Sequence, residues 1–327
     1  MELRTIINTG KSEARISYSD PVLFLGSCFA SEMGAKLEEG KMPVLINPTG
    51  TVYNPVSVIN TLELIVTGRK LSKDDLYCHE GTWLSFSHYT DFSSDDPARV
   101  LEKINSNSVT AHSFLKQAHF LFITFGTARV FRLNDSGIIV SNCHKLPSAF
   151  FSRELLTVRD IVELWNKQLD MISSEFPGLK TIFTISPVRH WKDGAHGNQV
   201  SKSVLFLAVE ELLSHHSAPG YFPAYEIVMD ELRDYRFYDQ DMLHPSGVAV
   251  DYIWEKFTGT YFDESTMAIW KEASGITRAM KHRISSERSE ANRRFAENIL
   301  SRISGIESYA KGIDFSEEKK YFRDLLK

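Results

Sequence analysis

Long hydrophobic runs are missing from this 327-residue sequence: its most apolar stretches, such as "HFLFITFG", are strand-sized and too short to cross a bilayer. "MELRTIINTGKSEARISYSD" at the start has no apolar segment of signal-peptide length, so a cytoplasmic protein is expected. Basic excess is absent too. The net charge of −5 argues against a nucleic-acid partner, and no membrane partner is expected. Cysteine is scarce: Cys28, Cys78 and Cys143, an odd number without a CxxC pair. That excludes a disulfide framework and a structural zinc site. Three free thiols are expected, two of them as small core residues. The sequence contains no GxGxxG, HExxH or GxSxG, which removes the dinucleotide fingerprint, the zinc-protease helix and the usual nucleophile elbow. Gly10-Lys11-Ser12 lacks the earlier glycine and the preceding strand of a phosphate-binding loop.

What remains is an ordinary globular composition, 43% hydrophobic and 24% charged, with strands and helices in alternation. Val22–Leu25, "HFLFITFG" and "LKTIFTIS" are continuously apolar and read as buried strands. Phe29, Met33 and Leu37 recur every four residues before Gly40, which predicts a short amphipathic helix. "LINPTGTVYNP" reads as an ordered loop, and Asn54-Pro opens a helix closed by Gly68. Residues 70–100 read as an insertion or a pair of short strands. "ARVFRL" and "GIIVSN" flank a hairpin turn. Helices are predicted around Ile161–Ile172, in "NQVSKSVLFLAVEELLSHH" and after His244, with "YEIVMD" as a strand. Continuously apolar strands separated by helices predict an α/β fold of three layers, a mainly parallel sheet flanked by helices. Residues 1–263 form that domain, and 264–327 a helical C-terminal extension.

Two segments carry candidate chemistry. Gly26-Ser27-Cys28 ends the first strand and begins a helix, which exposes a small nucleophile beneath free backbone N–H groups. "DQDMLHPSG" places Asp241 and His244 with two residues between them, just before the last core helix. A carboxylate at that spacing can hold one ring nitrogen and leave the other as a base.

Glycine-x-nucleophile after the first strand and Asp-x-x-His late in the chain resemble the SGNH (GDSL-type) hydrolase superfamily. Within it the chain closely resembles the bacterial GSCFA family, named for residues Gly26 to Ala30. "NPTGTVYNPVS", "TFGTARVF", "TISPVRHWKDG", "NQVSKSVL" and "YFPAYEIVMDELRDYRFYDQDMLHPS" are similar to family segments in the same order. The resemblance implies a flavodoxin-like fold and an acyl-transfer site. Cys28 stands where the superfamily has its serine, so the nucleophile is Cys28 or, from a shifted turn, Ser27. Cys28 is favoured physically, since a helix N-terminus and a nearby histidine lower a thiol's pKa; Ser27 then orients the turn by a hydrogen bond. The resemblance implies Asp241 and His244 as the remaining catalytic residues. It places Gly50 in the oxyanion hole with the N–H of Cys28. Gly126-Thr127-Ala128 occupies the block where an asparagine normally follows, so that amide is missing, with Thr127 or Asn54 as possible help.

Asn54, Arg189, His190 and Lys202 are candidates for contacting a polar or anionic substrate, although a surface ion pair is the plainer expectation for Arg189 and Lys202. The expected activity is hydrolysis of small acyl esters, such as those of O-acetylated glycans, with no metal or organic cofactor. Alternatives are an O-acyltransferase using the same site and an inactive binding protein on the same fold.

Overall fold

A computed structural model of the protein describes residues 4–281 and 290–326. The chain begins with β1 (Val22–Gly26), α1 (Cys28–Glu39), β2 (Val44–Ile46) and α2 (Pro55–Thr67). A hairpin, β3 (Tyr77–His79) and β4 (Thr82–Leu84), precedes α3 (Pro97–Leu115) and β5 (Phe120–Phe125). Next come β6 (Arg129–Leu133), β7 (Ile139–Val140) and β8 (Phe151–Leu155), then α4 (Val158–Glu175), β9 (Lys180–Ile185) and α5 (Gly194–His215). β10 (Gly220–Tyr221) leads into α6 (Ala224–Glu226), a π-helical turn over Ile227–Glu231, and α7 (Gly247–Tyr261). The chain ends with α8 (Glu264–Ala279), α9 (Glu290–Tyr309) and α10 (Ser316–Asp324).

The central sheet is parallel throughout, in the order β10-β9-β5-β1-β2. Its strands are apolar on both sides because both sides are covered. Leu23, Leu25, Leu121, Ile123, Phe125 and Phe183 pack with Val58, Leu62, Trp165, Leu169 and Leu205 from α2, α4 and α5. Phe24, Phe120, Phe122 and Ile182 face the other way, onto Phe29, Met33 and Leu37 of α1 and Ile253 and Phe257 of α7. The three layers expected from the sequence are therefore present. A separate cluster of Ile276, Ile299, Ile303, Ile306 and Phe322 holds the C-terminal helices together. The helical reading of the tail also covered 282–289 and 327, which lie outside the described residues. No described helix is long and apolar enough to cross a membrane.

Local signals set several boundaries. The side chain of Asn54 accepts the Ser57 N–H at 2.9 Å and caps α2, which ends at Gly68 in the left-handed conformation. Thr157 and Asp160 form a reciprocal capping box on α4. Three expectations fail. "YEIVMD" is helical, not a strand: Ala224, Ile227 and Val228 are buried together on one side of a helical turn, and only Gly220–Tyr221 pairs with β9. The loop "LINPTGTVYNP" begins inside a short edge strand, β2, because residues 44–46 pair with β1. The cysteines are not core residues, since Cys78 is exposed and the other two half-buried.

Chain order fixes where a site can form. The chain leaves β1 toward β2 on one side and later places β5 on the other. The carboxyl ends of β1 and β5 thus flank the switch point of the sheet, where open α/β sheets form their crevice. Ser27 and Gly126 directly follow those two ends.

Candidate active site

The turn after β1 depends on Gly26. Its φ is +134°, and a Cβ there would lie 2.2 Å from the Thr124 carbonyl oxygen on β5. Its N–H donates to Asn47 Oδ1 at 2.8 Å, and its carbonyl accepts the Val52 N–H at 3.0 Å. Ser27 caps α1 by position but not by side chain: its Oγ is buried without a hydrogen-bond partner, so the expected orienting bond is not formed. Cys28 is the first residue of α1 and half-buried, with its sulfur facing the N–H groups of Phe29 and Cys28 itself. Burial nevertheless pushes the thiol up, and Glu32 adds to this; the two N–H groups and the Lys202 ammonium oppose it without prevailing. This reverses the lowered pKa expected from the helix end. Desolvation outweighs the helix end when the sulfur is largely out of water.

Asp241 and His244 meet as their spacing predicts. His244 Nδ1 lies 2.5 Å from Asp241 Oδ2, while Asp241 Oδ1 accepts the N–H groups of Leu243 and His244, each at 2.9 Å. These bonds, the one from the His244 backbone first, hold the Asp241 carboxyl down at about 2. The loop is closed by Asp239 N–H on the His244 carbonyl at 2.8 Å, and Ser246 then caps α7. Both side chains are about half exposed, 48% for His244 and 46% for Asp241, so the pair opens to solvent.

Cys28 and His244 are not hydrogen-bonded to each other. The Lys202 charge acts on both Cys28 and His190, and that of His244 acts on His190. His190 Nε2 lies 3.3 Å, and Ser27 Cβ 3.5 Å, from the point where a side chain on Gly126 would begin, so both groups crowd that glycine. Burial, then the nearby cations, pushes the imidazole down to about 4 and keeps it neutral.

Lys202 is the largest departure from expectation. It makes no surface ion pair: the side chain is fully buried, and its Nζ donates to the Ser186 carbonyl at 2.5 Å. Burial drives the ammonium down to about 7. The unfolded chain keeps its lysine protonated to about 10.4, so between those values the unfolded state binds the extra proton. Stability therefore rises with pH across that window, and the penalty is complete below pH 7. A shift of three units or so is worth about 4 kcal/mol, of which the abandoned Ser186 carbonyl takes back about 1–3. Lys202→Met is thus expected to stabilise the fold at pH 6 by ~1–3 kcal/mol, with the gain shrinking by pH 9.5. Urea unfolding at the two pH values checks this, and equal destabilisation at both would refute the assignment.

A family model, the GSCFA family, matches residues 21–257. The chain belongs to the GSCFA family. A second model, the C-terminal domain of GSCFA domain proteins, matches residues 273–327. No curated protein shows significant similarity to this GSCFA chain. A solved structure from Streptococcus pneumonia, provisionally described as a platelet activating factor, is similar at 14% identity and a TM-score of 0.37. The match covers 73% of this chain and 83% of that one, and at that score it carries no weight for fold or activity.

The GSCFA chain spends most of the expected oxyanion donors elsewhere. The Gly50 N–H donates to the Asn47 carbonyl at 2.7 Å, and the N–H groups of Gly126 and Thr127 both donate to the Tyr53 carbonyl, at 2.7 and 2.9 Å. Thr127 Oγ1 pairs with Ser201 Oγ. Both ends of the Asn54 amide are engaged by Ser57, so Asn54 caps α2. Asn198, not among the residues expected from the sequence, keeps an uncommitted donor. Asn198 is buried; its Oδ1 accepts the His190 N–H at 2.9 Å, which fixes the amide orientation, and its Nδ2 has no partner. Its signal was the buried helical face Asn198, Ser201, Lys202 and Leu205 inside "NQVSKSVL". Among the described residues no cluster of three or more His, Cys, Asp or Glu could hold a metal ion.

Proposed function

We propose that this protein is an SGNH-type acyl-transfer enzyme that hydrolyses small acyl esters, with Cys28 as nucleophile and His244 as base. The observation that carries the reading is the strained Gly26 turn, which sets Cys28 beneath the first N–H groups of α1 at the sheet's switch point. Ser27 is the weaker candidate because its hydroxyl is buried. The raised thiol pKa makes a base necessary, and the Asp241-held imidazole supplies one. The sulfur bonds to the ester carbonyl carbon while its proton passes to His244 Nε2. The tetrahedral oxyanion is met by the N–H groups of Cys28 and Phe29, with the Asn198 amide as replacement for the one missing at Ala128. Collapse breaks the bond to the alcohol, which leaves with the proton from His244. Water then repeats the sequence on the thioester and restores the thiol.

Incubation with 4-nitrophenyl acetate, an acid quench and peptide mass mapping test this. An acetyl group on the Cys28 peptide, removed by neutral hydroxylamine as thioesters are, is the expected result, together with loss of turnover in Cys28→Ala. A hydroxylamine-resistant acetyl on Ser27 would move the nucleophile. No acyl group on either, with unchanged turnover in Cys28→Ala, would end the proposal.

A further inference from the structure

Beside Asp241 lies an open groove of about 500 Å³, a size that holds a ligand of one or two rings. Its wall is unusual in two respects. Trp191, Tyr235 and Met242 line it while remaining 56%, 76% and 51% exposed, although large apolar side chains are ordinarily covered. Its charges are also unevenly matched. Arg233 is paired with Asp230 at 2.7 Å, Asp234 with Arg236 at 3.6 Å, and Asp241 with His244. Arg189 has no ion pair among the described residues, and its Nε is buried without a hydrogen-bond partner. Arg189 therefore brings an unpaired positive charge to the groove wall, where an anion can meet it. It shares the groove wall with Tyr238 and Asp241.

We infer that the groove binds the non-reacting part of the substrate, and that this part is a ring bearing a carboxylate or a phosphate. Arg189 forms a forked, charge-assisted contact with the anion, and the exposed rings of Tyr235 and Trp191 cover a face of the ligand ring. The ester itself then reaches Cys28 past Asp241 and His244. The ester half of this inference rests on the acyl-transfer reading; the anion half stands without it.

Calorimetric titration of the Cys28→Ala variant, which cannot turn over, separates the two. Glucuronate or glucose 6-phosphate is expected to bind at least about tenfold more tightly than glucose, as one charge-assisted pair allows. The better of the two identifies the anion. Arg189→Gln is expected to erase that preference, Arg189→Lys to retain part of it, and Arg233→Gln to leave it intact. Equal binding of neutral and anionic sugars, or a preference that survives Arg189→Gln or disappears in Arg233→Gln, would overturn the inference. Anion binding without 4-nitrophenyl acetate turnover in the parent protein would uphold the groove and remove the chemistry.

Discussion

The His244→Ala variant is expected to lose about 10²–10⁴ of kcat on 4-nitrophenyl acetate, the usual worth of a positioned acid–base group. The size follows from the loop. Two backbone N–H groups and the imidazole itself fix the Asp241 carboxylate, which stays charged down to about pH 2. The proton on the ring therefore sits on Nδ1, and Nε2 is the free acceptor. Asp241→Asn is expected to cost a large part of the same factor, because an amide can present its NH2 to Nδ1 and favour the wrong tautomer. Neither effect should change across the range above pH 4 through Asp241, whose titration lies below it. His190 is the competing imidazole, neutral above about pH 4 and, like Ser27, packed against Gly126. The comparison is decisive in either direction. If His190→Ala abolishes turnover while His244→Ala stays within threefold of the parent, the base is His190 and the assignment to His244 is wrong.

The framework was legible wherever one local rule determined the outcome. The strands at 22–26, 120–125 and 180–185 are apolar on both faces because both faces are covered, and continuous apolar runs report that directly. Asn54 and Gly68 mark the ends of α2 through capping and left-handed geometry, which are properties of single residues. Asp241 and His244 meet because their separation is three positions in a tight loop. What escaped was decided by distant parts of the chain. "YEIVMD" has strand-like composition, but packing against α1 and α7 makes it helical. Gly50 is an oxyanion donor only by the family resemblance; its N–H closes a turn onto Asn47, and its φ of +85° with Tyr89 packed above accounts for the glycine. Lys202 is one more cation on an amphipathic helix until the Ser186 carbonyl and the Tyr225 ring enclose it. The helix end lowers a thiol's pKa in general, but the degree of burial at Cys28 is a tertiary fact, and it reversed the sign.

Gly26→Ala is expected to be the most damaging single-methyl change in the core. Two costs add. The φ of +134° belongs to a region that residues with a Cβ avoid, worth about 1–3 kcal/mol. The new methyl would also sit 2.2 Å from the Thr124 carbonyl oxygen, a backbone atom that cannot rotate away. Relief requires β1 to move off β5 at Gly26 and Thr124, where the two strands are in register. It also disturbs the Ser27 N–H bond to Thr124 at 3.2 Å and the Val52 N–H bond to Gly26 at 3.0 Å. The expected loss is therefore about 3–5 kcal/mol or a failure to fold, in the range reserved for strain at special backbone positions. Gly137→Ala is the matched control: its φ of +72° also disfavours a side chain, but nothing lies within 4 Å of the added carbon, so only about 1 kcal/mol is at stake. Parallel thermal melts of the two variants separate strain from collision. Should Gly26→Ala melt within a few degrees of Gly137→Ala, the close approach of β1 and β5 is not what holds the turn, and Cys28 loses the rigid support that its proposed role requires.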